Sequence, residues 1–563
     1  MQVLKFGGTS VGTAQAIQQV ISISLEAVKK EPTIIVCSAM SGITDQLINL
    51  ANLAAKSDIS YKNILHKIEE KHFNAIKILF DIKNQSSILS CIKQQINEIE
   101  NICEGIFLLQ ELSVRSLDRI VSYGEILSTK IIAANIKFLY PNSTWLDSRT
   151  FIKTDNQYGA AKVDYEHTTT LMQAYFNKNE FELYIVPGFI ASTKDNITTT
   201  LGRGGSDLTG AIYAKCLQAS VLEIWTDVSG MMTADPRIVQ NVKPIQKISY
   251  QEALELSHFG AKIIYPPTIQ PVMSLNIPVW IKNTFAPNDE GTLIENVGSN
   301  NDNIIRGISS VKDISLLNLE GPAMLGIPGF SKRLFDCLAN EHINVILITQ
   351  SSSEYSICVA IHKKDVKKAK IKIDHEFHSE IKENKLNPLS VENNLAIIAL
   401  VGEKMKSHPG ICGKLFGALG KNGINVRAIA QGSTEKNIST VISEEDVNKA
   451  VNVLHEAFFE STKKQLNVYI TGVGNVGSKL LEQIKQQEEY LNKNQNLQIN
   501  IVGLANSKKV LFNDKGIDLL TWKEKLLHSE DNNIDYLVQE IIHKNLRNAV
   551  FVDITAKAAV ASV

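Results

Sequence analysis

Residues 198–210, TTTLGRGGSDLTG, hold the densest concentration of potential chemistry in the chain. Gly202, Gly204 and Gly205 surround Arg203 and run into Ser206 and Asp207. Glycines let backbone N–H groups turn inward and approach an anion closely, which is how a phosphate cradle forms. Arg203 adds a rigid fork of donors that matches a carboxylate or a phosphate. The following LTGAIYAKCL reads as a helix whose positive N-terminus faces the same loop. Taken alone, the stretch also fits a flexible surface turn.

Other polar groups fall where strands should end. QVLKF (2–6) reads as a buried strand with Lys5 near its end and Gly7 and Gly8 just beyond. It is not a Walker A loop, because GxxxxGK[ST] is absent, and an exposed lysine beside a tight turn is the plain alternative. SAMSGITD (38–45) places Ser38, Ser41 and Thr44 around Gly42, as helix caps or ligand contacts. VLEIWTDVSGMMTADPR (221–237) is a buried strand ending in Thr226 and Asp227, with a further cluster at Asp235, Pro236 and Arg237. Glu125, just past Gly124, is expected at the start of a helix, where an acidic residue usually partners the dipole. Ligands of open α/β sheets bind outside the carboxyl ends of strands, so four polar strand ends reinforce one another.

The elements that must position these groups follow from periodicity. A helix over roughly 13–30 and a strand at 33–40 complete an opening βαβ unit. Ile64, Leu65, Ile68, Ile76, Leu79 and Phe80 predict a helical hairpin over about 60–115 whose apolar stripe is core. YIVPGFIAS (184–192) is a strand with a Pro-Gly turn leading to the central loop. Residues 258–273 read as helical and carry Lys262, 276–285 as a final strand, and 286–303 as a linker.

At 563 residues, three or four domains are expected. With 58 basic and 59 acidic residues there is no global field favouring nucleic acid or an anionic membrane. The seven cysteines are scattered and never form CxxC, which suits free thiols in a reducing cytosol and predicts a cytoplasmic protein. No run of about 18 uncharged apolar residues predicts a membrane span.

Residues 328–369 overlay 409–450 at a constant offset of 81 without a gap, with 18 identical pairs over 42 positions. Such self-similarity means two copies of one supersecondary unit, read as strand, Pro-Gly turn, helix, INV strand, turn, strand and helix. That is an α+β unit of the ferredoxin-like kind, expected to pack its exposed sheet on its twin or on another subunit. Gln350 and Gln431 recur after the same strand, fitting either turn chemistry or two related small-ligand sites. Downstream, LNVYITGVGNVGSKLLEQI (466–484) is a strand, a GxGxxG loop (Gly472, Gly474, Gly477) and a helix, a dinucleotide fingerprint. The second strand, INIVGLANSKKV, offers Asn506, Ser507, Lys508 and Lys509 in place of an acidic residue, which favours NADP over NAD. Nothing after AVFVDITAKAAVASV completes a substrate domain, so the Rossmann unit is expected to be partial.

KFGGTSVG, SAMSGITD, GRGGSD, WTDVSGMMTADPR and a tandem repeat followed by GVGNVG resemble the bifunctional aspartokinase/homoserine dehydrogenase family over the whole chain. The resemblance implies an α/β chain: a three-layer amino-acid-kinase domain over 1–286, ACT units over 304–385 and 394–461, and part of an NAD(P)-binding Rossmann domain over 466–563. It implies transfer of the ATP γ-phosphoryl group to the β-carboxylate of L-aspartate. By similarity, Lys5 contacts the transferring phosphate with the Gly7-Gly8 backbone, and Asp207 holds Lys5. Arg203 clamps the α-carboxylate beside Ser206, Glu125 reads the ammonium group, and Ser38 and Thr44 line the substrate side. Thr226, Asp227, Asp235 and Arg237 hold the nucleotide, with Lys262 near its phosphates. Magnesium arrives with ATP, without an assigned protein ligand. The ACT pair implies feedback by threonine at Gln350 and Gln431, although relatives also sense lysine, and pairing of ACT units implies a homodimer or homotetramer. The family's dehydrogenase residues lie beyond Val563, so that activity is not expected of this chain. Kinases of glutamate, carbamate or a nucleotide, and a silent amino-acid-binding regulator, are the competing readings.

Overall fold

The computed structural model describes residues 1–563 except 179–180, 259–263, 297–303, 326, 352–354, 433–435, 460–463, 496, 515, 547 and 556–563. The chain divides into two compact units, Met1–Met232 with Lys243–Asp302, and Thr233–Val242 with Asn303–Val563.

In the first unit, short apolar runs form β1 (Gln2–Phe6), β2 (Thr33–Cys37), β3 (Ser143–Trp145), β4 (Lys153–Thr154), β5 (Leu183–Pro187), β6 (Ile190–Thr193) and β7 (Thr198–Thr200). They continue with β8 (Leu222–Thr226), β9 (Lys247–Ser249), β10 (Val279–Asn283) and β11 (Thr292–Glu295). Eight make one sheet in the order β3-β5-β2-β1-β8-β10-β11-β9. From β3 to β10 every neighbour is parallel, and β1, β2 and β5 are buried throughout, as expected of strands covered on both faces. A small sheet, β4-β6-β7, carries the chain into the glycine-rich loop.

The helices are α1 (Ala14–Val28), α2 (Ile43–Ala55), α3 (Tyr61–Leu79), α4 (Ile82–Leu109), α5 (Val114–Leu139), α6 (Ser148–Phe151), α7 (Tyr165–Phe176), α8 (Gly205–Cys216), α9 (Tyr250–His258) and α10 (Gln270–Met273). The hairpin α3–α4 matches the periodicity. Leu65, Ile68 and Ile76 join Ile92, Ile96 and Ile99 in one buried cluster, each such side chain worth about 1.5–3 kcal/mol over exposure.

Three sequence expectations fail here. Glu125 lies in the middle of α5, not in a first turn. Gly124 does not break the helix; it lets α5 pack closely, since a Cβ there would sit 2.9 Å from that of Ala39. The stretch read as a linker contains β11, whose Thr292 and Ile294 are buried against β10. Over 258–273 the helical reading survives only in part: residues 259–263 lie outside those described, and beyond them Pro266 and Pro267 open a 3-10 turn and α10 is one turn long.

In the second unit, β12 (Gly307–Glu320), α11 (Phe330–Asn340), β13 (Leu347–Gln350), β14 (Ser356–His362), α12 (Val366–Glu376) and α13 (His378–Lys382) make the first repeat. The second is β15 (Ser390–Val401), α14 (Ile411–Lys421), β16 (Ala428–Gln431), β17 (Asn437–Ser443) and α15 (Val447–Phe459). The 81-residue offset holds element by element, down to the left-handed residues Asp313 and Asn394, both at φ 58°. The repeats do not stack sheet on sheet. They share one six-stranded sheet, β13-β14-β12-β15-β17-β16, joined through antiparallel β12 and β15. The INV triplets precede β13 and β16 instead of forming them; Ile343 and Ile424 are buried anchors of the preceding turns.

The remainder comprises β18 (Lys464–Thr471), α16 (Asn475–Asn494), β19 (Leu497–Ala505), β20 (Lys509–Phe512), α17 (Trp522–Leu527), β21 (Glu530–Asp531), α18 (Ile534–Lys544) and β22 (Ala549–Asp553). β18 lies between β19 and β22, parallel to both, in a sheet β21-β20-β19-β18-β22. INIVGLANSKKV is therefore two antiparallel strands, β19 and β20, and not one. Among the described residues no helix is long and apolar enough to cross a membrane.

Candidate active site

β1, β2 and β8 are neighbours in the first sheet, so their carboxyl ends and the loops after them open on one side. There they bound a cavity of about 600 Å³. Its lining includes Lys5, Gly7, Gly8, Ser38, Thr44, Glu125, Arg203, Ser206, Asp207, Thr226 and Asp227, all singled out from the sequence. The lining also takes in Met40, Asp45 and Phe189, none of which the residue pattern marks as a ligand contact. Phe189 follows the Pro-Gly turn at φ 66°, a conformation fixed by its N–H donating to Thr209 Oγ1 at 2.9 Å.

α8 begins at Gly205, so Ser206 and Asp207 occupy its first turn. From there Asp207 forms an ion pair with Lys5 on β1, both side chains largely buried at 15% and 9% exposure. The pairing gives the Lys5 amine a carboxylate partner in a place where an unpartnered charge would be costly. Gly204 has φ 70°, and a Cβ there would lie 2.6 Å from the Tyr265 ring, so the turn admits glycine alone. Arg203 is exposed and makes no ion pair among the described residues.

Glu125 is the most deeply buried carboxylate of the cavity lining. It is 3% exposed, accepts a hydrogen bond from the Ala39 N–H, and leaves Oε2 without a partner. Burial pushes its carboxyl up to about 8. Once deprotonated, a buried carboxylate with an open oxygen on a cavity wall can receive a cation.

Not every expected residue joins this cavity. Asp235 and Arg237 belong to the second unit, where the neighbouring Ala234 and Val239 are buried in its core. They pair with each other at 2.7 Å, and Asp235 also accepts from the Arg237 N–H, closing a local turn. Lys262 lies outside the described residues. Among those described, no group of three or more histidine, cysteine or acidic side chains is arranged to hold a metal.

Gln350 and Gln431 end β13 and β16, the outermost strands of the repeat sheet, which come within 8 Å of each other between Cα atoms. Gln431 Oε1 accepts a weak hydrogen bond from Cys412 Sγ at 3.5 Å.

The GxGxxG loop is closed at one glycine and open at another. A Cβ on Gly477 would lie 2.4 Å from the Gly472 carbonyl oxygen, whereas Gly474 has nothing within 4 Å and leaves the backbone open at the start of α16. At the end of β19, Asn506 Oδ1 accepts from the N–H groups of Lys508 and Lys509, both at 2.7 Å, so that oxygen builds the turn. Ser507 and Lys508 are exposed there.

Comparison with known proteins accords with this division. An amino acid kinase family model matches residues 1–283, an ACT domain model matches 317–377 and 398–458, and a homoserine dehydrogenase NAD-binding domain model matches 472–563. The chloroplastic bifunctional aspartokinase/homoserine dehydrogenase 1 of Zea mays is 37% identical over 99% of this chain and 61% of its own length. The bifunctional enzyme of Buchnera aphidicola subsp. Acyrthosiphon pisum is 35% identical over 99% of this chain and 68% of its own. The chain thus spans about three-fifths to two-thirds of the length of these relatives. A crystal structure of E. coli aspartokinase III in complex with aspartate and ADP aligns with a TM-score of 0.68 at 31% identity, covering 82% of this chain and 100% of that one. With an amino acid kinase domain, paired ACT repeats and a homoserine dehydrogenase NAD-binding domain in that order, the chain belongs to the bifunctional aspartokinase/homoserine dehydrogenase family.

Proposed function

We propose that this chain transfers the γ-phosphoryl group of ATP to the β-carboxylate of L-aspartate and is restrained by an amino acid bound at its ACT repeats. The observation that carries the reading is Glu125, a buried carboxylate with one open oxygen, on the same cavity as Arg203 and the Lys5–Asp207 pair. Those groups suit the ammonium, the α-carboxylate and the transferring phosphate of such a reaction.

The acceptor carboxylate, with a pKa of about 4, is already ionised at neutral pH, so no general base is needed. The obstacle is bringing one anion to another. Lys5 offsets charge on the transferring group while the Gly7-Gly8 and 202–205 backbones donate N–H groups to phosphate oxygens. Ser206, Ser38 and Thr44 orient the acceptor, and Thr226 and Asp227 hold the nucleotide. Magnesium bound to ATP would supply further charge neutralisation at the phosphates. Asp235, Arg237 and Lys262 enter as nucleotide contacts by similarity alone.

Threonine is the proposed effector, with Gln350 and Gln431 as contacts, and lysine is the competing one. We further propose that the chain acts in the cytoplasm as a homodimer or homotetramer. The GxGxxG loop would hold the pyrophosphate of a nicotinamide dinucleotide, and exposed Lys508 with Ser507 favours the 2′-phosphate of NADP. No residue here is assigned to dehydrogenase chemistry.

Hydroxylamine trapping of acyl phosphate tests the reading. ATP- and aspartate-dependent hydroxamate, suppressed by threonine, is the expected result. Its absence with aspartate overturns the function, and suppression by lysine alone reassigns the effector.

A further inference from the structure

The strongest group left unused is Asp118. It lies on α5 two turns before Glu125, so the two carboxylates share a helix face. It is 2% exposed and makes no ion pair among the described residues. All of its bonding goes to backbone and hydroxyl donors of one region. Oδ1 accepts from Thr200 Oγ1 at 2.8 Å, while Oδ2 accepts from the N–H groups of Thr200 and Gly159, at 3.0 and 2.9 Å.

Thr200 is the last residue of β7, immediately before the turn that carries Arg203. Its carbonyl in turn accepts from the Ala161 N–H at 2.9 Å. Gly159 and Ala160 form the floor under Gly202: a Cβ on that glycine would meet them at 3.2 Å. One carboxylate therefore fastens both the strand leading into the glycine-rich turn and the segment beneath it. Burying a carboxylate without a cation is costly, and the burial raises its pKa. A polar group kept at that cost, satisfied by three donors, fixes its neighbours in one arrangement.

We infer that Asp118 is a positioning residue for phosphoryl transfer, holding the 202–207 turn so that Arg203 meets the acceptor's α-carboxylate while Glu125, on the same helix, receives its ammonium group. The inference rests on the aspartate kinase reading above. Lateral misplacement of a clamp weakens acceptor binding before it affects the overall fold.

Asp118→Ala and Asp118→Asn separate this role from simple support of the fold. An asparagine can keep its oxygen on the two N–H groups and donate its amide to Thr200 Oγ1, so it preserves the geometry. Steady-state hydroxamate kinetics well below the melting temperature should show the aspartate KM of the alanine variant raised about tenfold, with the asparagine variant restored to within about threefold. Amide hydrogen exchange over 157–161 and 198–207 should quicken in the alanine variant alone. An aspartate KM within twofold of wild type, an asparagine variant as impaired as alanine, or unchanged exchange overturns the inference. If wild type itself makes no acyl phosphate from aspartate, the kinase reading fails, and exchange alone decides whether Asp118 holds the turn.

Discussion

The chain carries two glycine-rich turns at the start of helices, 202–207 running into α8 and 472–477 running into α16, and they are equipped differently. The first is ringed by side chains: Arg203, Ser206, Asp207, Lys5 and the open oxygen of Glu125. The second turn leaves open space at Gly474 and packs tightly between Gly472 and Gly477. Binding a pyrophosphate requires only inward N–H groups and a helix N-terminus. Moving a phosphoryl group onto a carboxylate requires compensating charge and a means of recognising the acceptor. Under the proposed function, the difference separates a turn that holds an anion from one that brings two anions together.

Lys5→Ala attacks the side of that contrast with the greatest expected effect. It should lower kcat for acyl-phosphate formation about 10²–10³-fold, in the range for losing one charge-stabilising donor. NADPH binding, followed by fluorescence, should not change; near-normal turnover would remove Lys5 from the mechanism.

pH acts next. Glu125 must lose its proton to receive an ammonium ion, and in the empty cavity its carboxyl is pushed up to about 8. Aspartate affinity should therefore rise with pH from 6.5 to 8, by at most about tenfold per unit. A KM flat across that window contradicts the assignment. The same shift has a stability consequence of opposite sign. The folded state holds this proton more tightly than the unfolded chain, whose value is 4.5, so stability falls as pH rises from there through about 8. Glu125→Gln should accordingly raise the melting temperature of the ligand-free protein more at pH 8 than at pH 5.5. An equal change at both would mean the carboxyl is not buried as described.

Gly477→Ala sharpens the other side. A methyl group 2.4 Å from the Gly472 carbonyl forces the turn open and should weaken NADPH binding by about tenfold while leaving kinase turnover intact. Loss of both activities would break the separation of the two turns. The smallest effect is expected for Gln431→Ala, a shift of a few-fold in the threonine concentration for half-inhibition, one neutral hydrogen bond's worth. Unchanged inhibition would move the effector contact elsewhere.

Much of this arrangement was legible in residue types. Polar residues at the ends of buried apolar runs marked the cavity, because a parallel sheet leaves its strand ends as the open sites. The 81-residue repeat survived into individual backbone conformations, since one supersecondary unit imposes the same turns on both copies. Failures came where a tertiary contact overrode a local signal. Gly124 looked like a boundary, yet its lack of a side chain serves the approach of α5 to Ala39. Thr292 and Ile294 lay in a polar, glycine-bearing stretch whose pairing with β10 is set by distant residues. Asp118 resembled an ordinary helix carboxylate, and only its long-range bonds to Thr200 and Gly159 distinguish it.

The central claim is that one cavity reads both ends of an α-amino acid and phosphorylates its side chain. Succinate keeps both carboxylates of aspartate and lacks the ammonium, so comparing kcat/KM for the two, in wild type and in Glu125→Gln, tests it most directly. Wild type should prefer aspartate by about 10²-fold or more, and Glu125→Gln should lose most of that preference through aspartate alone. Equal use of the two acids by wild type, or a preference that survives Glu125→Gln, would contradict the account.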